Sequence, residues 1–335
     1  MMRLPKMEHV APKSVMEACS LIDKHGPEAR VLAGGTDLLV ACKLRNLRPE
    51  MLIGLGDITA LKGIRFQDQD GLTIGAMTSL NRVRYDTTVS NQYPALAEAA
   101  AAVGAPQLQH MGTLGGNLCL NTRCIYYNQS DSWRKSRAVC LKMGGDVCHV
   151  VPKGKKCYAV FSGDTAPALM ALDAQVKLLT SHGERILPVG KLFTGDGKEP
   201  IALKAGEVLT EIKIPVPAGK QSSAYLKYRV RGAIDFPLTG VAVRMNRDED
   251  GICTDCKIVI NAVNTAPTEV PEAGALLNHR KPTVELITQA SEEAVKAAHP
   301  VANALGATPT YRRKMAGILT RRALLAVANR LDFHF

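Results

Sequence analysis

"LAGGTDL" at residues 32–38 and "GTLGGNL" at residues 112–118 each set two glycines beside a threonine, about 80 residues apart in the chain. Glycine has no side chain, so backbone N–H groups at such a turn can approach an anion closely. Thr36 and Thr113 add hydroxyl donors suited to phosphate oxygens. Neither loop fits GxGxxG or the P-loop pattern, which argues against a Rossmann or Walker fold. A Gly-Gly pair is also a common turn, but two such loops on separate subdomains could clamp one pyrophosphate between them.

The flanking sequence assigns each loop to its own unit. Ser14 with Glu17 forms a capping box before a helix whose Val15, Ala18, Cys19 and Ile22 share one face, and Gly26 ends it. The short strand RVL then runs into the first glycine loop, and a second helix follows from about Asp37 to Leu44. This makes a small α/β unit over 1–55. From 56 to 217, strands in DGLTIGA, DAQVKLL and LTEIKIP mix with an alanine-rich helix around YPALAEAAAAVG, as in an α+β subdomain. After the turn-rich PVPAGKQSS, the runs AYLKYRV, TGVAVRM and CTDCKIVINAV and helices at about 283–298 and 311–330 predict a separate C-terminal α/β domain over 222–332.

The chain has 335 residues, 46% of them hydrophobic, enough for two or three cores. No stretch has the length and apolarity of a signal peptide or membrane span, so a cytoplasmic protein is expected, with no membrane partner. Nine cysteines in such a compartment point to metal or redox roles rather than structural disulfides. The net charge of +11 could suggest nucleic acid, but residues 123–161 hold eight Lys/Arg against two Asp, more than half of the excess. The segment shows no aromatic-interleaved basic motif for bases to stack on, so no nucleic-acid partner is expected.

The same 123–161 segment carries Cys124, Cys140, Cys148 and Cys157, at spacings of 16, 8 and 9. Four thiolates can hold zinc or a 4Fe–4S cluster. Zinc sites usually draw ligands from C-x(2–4)-C pairs, absent here, whereas widely spaced single ligands suit a larger cluster wrapped by a loop. His149 beside Cys148 is expected to be hydrogen-bonded or solvated rather than a ligand. Cys253 and Cys256 form a CxxC, but positions three apart in a regular strand face opposite ways, so their sulfurs are not expected to meet. Cys42 and Cys119 read as small packed groups.

Together RVLAGGTDLL, LTIGAMTSL, YPALAEAA, GTLGGNL, DTAPALMALDA, GEVLTEIKIP and YRRKMAGILTRRAL resemble the FAD-binding subunit of the xanthine dehydrogenase and carbon monoxide dehydrogenase family over nearly the whole chain. The resemblance implies an α+β fold, with a two-subdomain FAD-binding domain of the vanillyl-alcohol-oxidase (PCMH) type followed by a small C-terminal domain. It implies FAD held by Val31, Leu32, Ala33, Gly34, Gly35, Thr36, Asp37 and Leu38 of the first loop. Thr113, Leu114, Gly115, Gly116 and Asn117 of the second would complete the grip on the pyrophosphate and ribityl region. Asp164 would bond the cofactor's hydroxyls, and Leu209 and Lys227 match positions beside the flavin. Many relatives carry Arg-Asn where this chain has Gln109-His110, so a salt link there is expected to be missing. Removing 123–161 restores the family pattern, which marks the cysteine segment as an insertion.

The spacing of the four cysteines is similar to that in the β subunit of 4-hydroxybenzoyl-CoA reductase, where such a loop carries a 4Fe–4S cluster. That likeness implies an electron-transfer oxidoreductase subunit with no substrate site in this chain. Partner chains would hold the molybdenum cofactor and 2Fe–2S clusters, as a dimer of heterotrimers. Electrons would pass from ferredoxin through cluster and FAD to reductive dehydroxylation of an aromatic CoA thioester under anoxic conditions. The alternatives are a related hydroxylase with outward electron flow, or a zinc-ordered module that docks nucleic acid.

Overall fold

The computed structural model describes residues 3–302 and 307–333. Strand β1 (Glu8–Val10), helix α1 (Val15–His25), strand β2 (Ala29–Leu32), helix α2 (Leu38–Lys43) and strand β3 (Met51–Gly54) form the first unit. Its parallel sheet has the order β1-β3-β2. Ser14 caps α1 by accepting from the Glu17 N–H at 3.1 Å, and Cys19 is fully buried on its inner face.

The second unit begins with β4 (Ile64–Gln67) and β5 (Gly71–Gly75), continues through five short helices, α3 (Leu80–Tyr85), α4 (Thr87–Gln92), α5 (Pro94–Ala102), α6 (Pro106–Met111) and α7 (Leu114–Leu118), and crosses the cysteine segment with its one-turn helix α8 (Asp131–Lys135). It closes with α9 (Thr165–Ala171), β6 (Gln175–Thr180), β7 (Gly183–Pro188) and β8 (Val208–Ile214). The sheet order is β4-β5-β8-β6-β7, antiparallel throughout. Its central strands alternate: Leu72, Ile74, Val176, Leu178 and Ile212 point into a core shared with α3, α5 and α9.

The C-terminal domain is an antiparallel sheet of β9 (Lys220–Tyr228), β10 (Thr239–Arg247), β11 (Cys253–Asn261) and β12 (Thr268–Glu269), followed by α10 (Pro271–Ala275), α11 (Val284–Ala297) and α12 (Pro309–Arg330). Strand β10 is buried on both faces. Val241, Val243 and Met245 pack with α11 and α12, whereas Ala242 meets the alanines of α5 and α9. Ala95 and Ala99 lie one turn apart on α5, and Ala168 and Ala171 sit likewise on α9, so the helix backbones can approach the sheet of the next domain closely. That is the structural use of the alanine-rich run.

One sequence expectation is overturned in this sheet. The β10–β11 register shifts between Asn246 and Arg247, which pair with Asp255 and Cys253 and leave Thr254 without a partner. This bulge adds a residue to the strand, so Cys253 and Cys256 turn to the same buried core, where the neighbouring Cys253 thiol and burial raise Cys256 well above its ordinary value. The two cysteines share one face after all, and both remain free.

The cysteine segment leaves the second unit through a two-bond neck: Arg123 and Val160 exchange N–H···O bonds, each of 2.8 Å. It folds back onto the first unit. Arg134, itself buried, donates to the Leu44 carbonyl at the end of α2 at 3.1 Å and to Asn46, and Asn46 Nδ2 donates to the Tyr127 carbonyl at 3.2 Å.

Arg244 locks the C-terminal sheet to α9, donating to the Ala171 carbonyl at 2.7 Å, Asp173 at 3.0 Å and Asp255 at 2.5 Å. Arg244→Met should therefore lower stability by about 1–3 kcal/mol, because the buried acceptor is left unpaired. Urea denaturation followed by circular dichroism measures this, and a midpoint equal to the parent's would contradict the role.

Candidate functional site

The two glycine loops touch. A Cβ built on Gly34 would fall 1.8 Å from the Met111 carbonyl oxygen and 3.1 Å from Gly112 Cα, so only glycine permits this approach. Gly35 has φ +72°, in the left-handed region that glycine adopts without strain. On the far side, Thr113 caps α7 by accepting from the Gly116 N–H at 3.1 Å, and Asn117 Oδ1 accepts from Thr165 Oγ1 at 2.7 Å, which fastens the second loop to α9.

The loops form one wall of a cavity of about 740 Å³, large enough for a dinucleotide. Val31, Ala33, Gly34, Gly35, Thr36, Asp37 and Leu38 line it, as do Thr113, Gly115, Gly116 and Asn117 from the second loop. Asp164 and Leu209 stand on the same wall. Leu32 is not on the cavity wall, and Leu114 is fully buried in the core of the second unit, because neighbours along the chain face different ways.

Asp164 is anchored from behind. It accepts from Tyr225 Oη at 2.6 Å and from Lys227 Nζ at 2.9 Å, both on β9 of the C-terminal domain. The Lys227 and Asp164 side chains are each only 4% exposed. Burial raises the Asp164 carboxyl above its ordinary range against the downward pull of Lys227 and Tyr225. Lys227 is thus not an ordinary surface lysine of a strand. It also donates to the Ala102 carbonyl at 2.9 Å and reaches the cavity only through Asp164.

Three contributors to this cavity carried no sequence motif. Ser162, two residues before Asp164, is buried on the wall, and its hydroxyl has no hydrogen-bond partner among the described residues. Arg123 Nε is likewise buried without a partner, on a guanidinium that lines the cavity and pairs with Asp37. Ile234, Asp235 and Phe236, in the turn between β9 and β10, also line the cavity, with the Arg123 guanidinium 4.5 Å from the Phe236 ring centre. Two donors without partners on a cavity walled by paired glycine loops fit a polar, phosphate-bearing cofactor.

Gln109 lies on α6, ahead of the second glycine loop. It is buried, donates from Nε2 to the carbonyls of Ala101 and Val103, both at 2.9 Å, and accepts from Arg84 at 3.0 Å. Cys119 lies on the cavity wall, and burial pushes its thiol up to about 12, which keeps it protonated and a poor nucleophile toward a flavin.

The four cysteines of the insertion, drawn from separate turns, line one smaller cavity together with Tyr126, Lys142 and His149. The Val151 N–H donates to Cys148 Sγ at 3.5 Å. Burial raises the Cys124 thiol and pushes that of Cys157 up to about 11, against the opposing pull of backbone N–H groups at Tyr126, Tyr127 and Ala159. Such donors favour thiolate and are the kind of contact that tunes an iron–sulfur centre. Among the described residues no group of three or more His, Cys, Asp or Glu is placed to hold a single metal ion. His149 is hydrogen-bonded to the Ala138 carbonyl at 2.8 Å.

The eight basic residues of the insertion do not all face solvent. Arg123, Arg134 and Lys142 turn inward; Lys142 reaches Asn121 at 2.8 Å and Thr122 at 2.7 Å, and burial lowers its ammonium to about 8. Lys135, Arg137, Lys153, Lys155 and Lys156 are the exposed cations.

Asp164→Asn would leave a buried ammonium unpaired and should cost about 3–5 kcal/mol, whereas Asp164→Asn with Lys227→Met should recover much of that loss. A double-mutant cycle in urea measures it, and additive effects of the two single changes would show that the pair is not coupled.

Residues 5–217 match the family described as FAD binding domain in molybdopterin dehydrogenase, and residues 224–327 match the CO dehydrogenase flavoprotein C-terminal domain. The chain is 32% identical over 325 residues to the carbon monoxide dehydrogenase medium chain of Hydrogenophaga pseudoflava, covering 96% of this chain and 97% of that one. It is 30% identical over 302 residues to the aldehyde oxidoreductase FAD-binding subunit PaoB of Escherichia coli, covering 88% and 91%. A solved structure of the Hydrogenophaga pseudoflava carbon monoxide dehydrogenase superposes with a TM-score of 0.81 at 30% identity, covering 98% of this chain and 99% of that one. With paired glycine loops, a dinucleotide-sized cavity and a matching C-terminal domain, the chain belongs to the FAD-binding subunits of the molybdenum hydroxylases, of the carbon monoxide dehydrogenase and xanthine dehydrogenase type.

Proposed function

We propose that this subunit carries a 4Fe–4S cluster beside its FAD and serves 4-hydroxybenzoyl-CoA reductase. The observation that carries the reading is the convergence of Cys124, Cys140, Cys148 and Cys157 on one cavity, in an insertion whose neck residue Arg123 also lines the flavin cavity. When bound, the two groups relay single electrons between an external carrier and the redox centres of partner chains. Those partners are a molybdenum-cofactor subunit and a 2Fe–2S subunit, arranged with this one as a dimer of heterotrimers. The overall reaction takes two electrons and two protons, cleaves the phenolic C–O bond, forms a C–H bond and releases water. Substrate binds outside this chain.

The residues of this chain do the positioning. Both glycine loops and Asp164 hold the dinucleotide, Leu209 and the 234–236 turn wall the cavity against water, and Lys227 fixes Asp164. The cysteine cavity is kept in place by Lys142 and Arg134, which tie the insertion to the body. Exposed Lys153, Lys155 and Lys156 flank Cys157 and offer an acidic ferredoxin a cationic approach within the roughly 8–10 Å reach of charge at physiological ionic strength. The relatives named for carbon monoxide and aldehyde oxidation favour a second reading, a hydroxylase with outward electron flow. Assay of the purified complex for reduction of 4-hydroxybenzoyl-CoA separates the two, and no product with a full complement of cofactors would reject the reductase.

Cys140→Ser should abolish the iron–sulfur spectroscopic signal and lower iron content while FAD stays bound. An unchanged signal would reject the ligand assignment. Charge reversal at Lys153, Lys155 and Lys156 should slow reduction by ferredoxin at low salt, by about tenfold or more, and leave reduction by a small uncharged reductant unaffected. Stopped-flow traces across an ionic-strength series check this, and rates indifferent to both salt and charge reversal would remove the docking role.

A further inference from the structure

Arg123 stands at an unusual junction. Its backbone closes the neck of the insertion against Val160, its neighbour Cys124 lines the cysteine cavity, and its guanidinium crosses to the dinucleotide cavity. There it pairs with Asp37, the residue that follows the first glycine loop and begins α2. Asp37 makes no capping bond to that helix, so the carboxylate is committed to the arginine instead. Left alone, a carboxylate directly after a phosphate-binding loop would repel the ligand. Arg123 cancels that charge, packs over Phe236 and still holds one buried N–H, at Nε, with no acceptor among the described residues. Burial lowers the guanidinium to about 10, so the folded protein sacrifices hydration to keep a cation at this point. The other cations on the cavity wall differ: Arg30 spends its guanidinium on the carbonyls of Pro27 and Ala29, and Lys198 is exposed.

We propose that Arg123 is a pyrophosphate-binding residue of the FAD site, contributed by the cysteine insertion, so that the insertion completes the flavin site. The unpartnered Nε–H is the donor, the phosphate oxygen the acceptor, and Asp37 holds the guanidinium plane in place. The inference uses only the flavin site and stands whether or not the four cysteines hold a cluster.

Flavin-stripped full-length protein is titrated with FAD and with riboflavin, which has the ring and ribityl chain but no phosphate. Arg123→Met should weaken FAD by about tenfold or more, the usual contribution of a charge-assisted hydrogen bond, and leave riboflavin affinity unchanged. FAD affinity within twofold of the parent would overturn the proposal. A parallel loss for both ligands would do the same, since it would mark a structural role. Should Arg123→Met fail to fold, Arg123→Lys decides the matter: it keeps the charge but not the planar fork, and is expected to weaken FAD by severalfold with riboflavin unchanged. Parental FAD affinity in that variant also overturns the assignment. A parent that binds no FAD at all would instead reject the flavin site itself.

Discussion

The buried contact between Asp164 and the pair Tyr225 and Lys227 is the constraint on which the rest of the structure rests. It joins the second unit to the C-terminal domain at the wall of the dinucleotide cavity, where each charged side chain is almost wholly removed from water. Neither charge tolerates that burial without the other. The pair therefore fixes how the C-terminal sheet sits on α9, and with it the position of the turn carrying Ile234 and Phe236. The alanines of α5 and α9 supply the close approach, but they are non-directional; the ion pair and Arg244 set the register.

Around that joint the flavin cavity is assembled from parts that are distant in sequence. Gly34 lies against the backbone of Met111 and Gly112, so the first and second units meet where their anion-binding loops meet. The insertion adds to this rather than hanging free of it. Its neck is closed by the Arg123–Val160 pair, Arg134 satisfies a carbonyl at the end of α2, and Lys142 fills a polar niche formed by Asn121, Thr122 and Gly197. An insertion so anchored holds its thiols in a fixed place relative to the dinucleotide cavity.

Much of this was legible in the chain because it depends on local chemistry. Glycine pairs mark close backbone approach, Ser14 with Glu17 marks a helix start, and the alternation in LTIG and QVKLL marks strands with one buried face. The two cysteines of CTDC show where such reasoning fails. Regular alternation separates them, yet an extra residue in the bulge at Thr254 returns both to one face, and nothing in the local sequence announces a bulge set by pairing with a distant strand. The charge of the insertion misleads for a similar reason. Arg123, Arg134 and Lys142 count as surface cations in composition, but each finds acceptors more than 20 residues away and turns inward.

By itself the sequence determined the sites of backbone permissiveness, the element types and the family likeness, since these follow from residue identity and spacing. Tertiary structure alone decided which groups face the cavity. Ser162 and Arg123 come to it from the second unit and the 234–236 turn from the C-terminal domain, and Leu114 and Lys227 are withdrawn behind it, because a side chain's exposure is set by packing partners that the chain brings together only on folding.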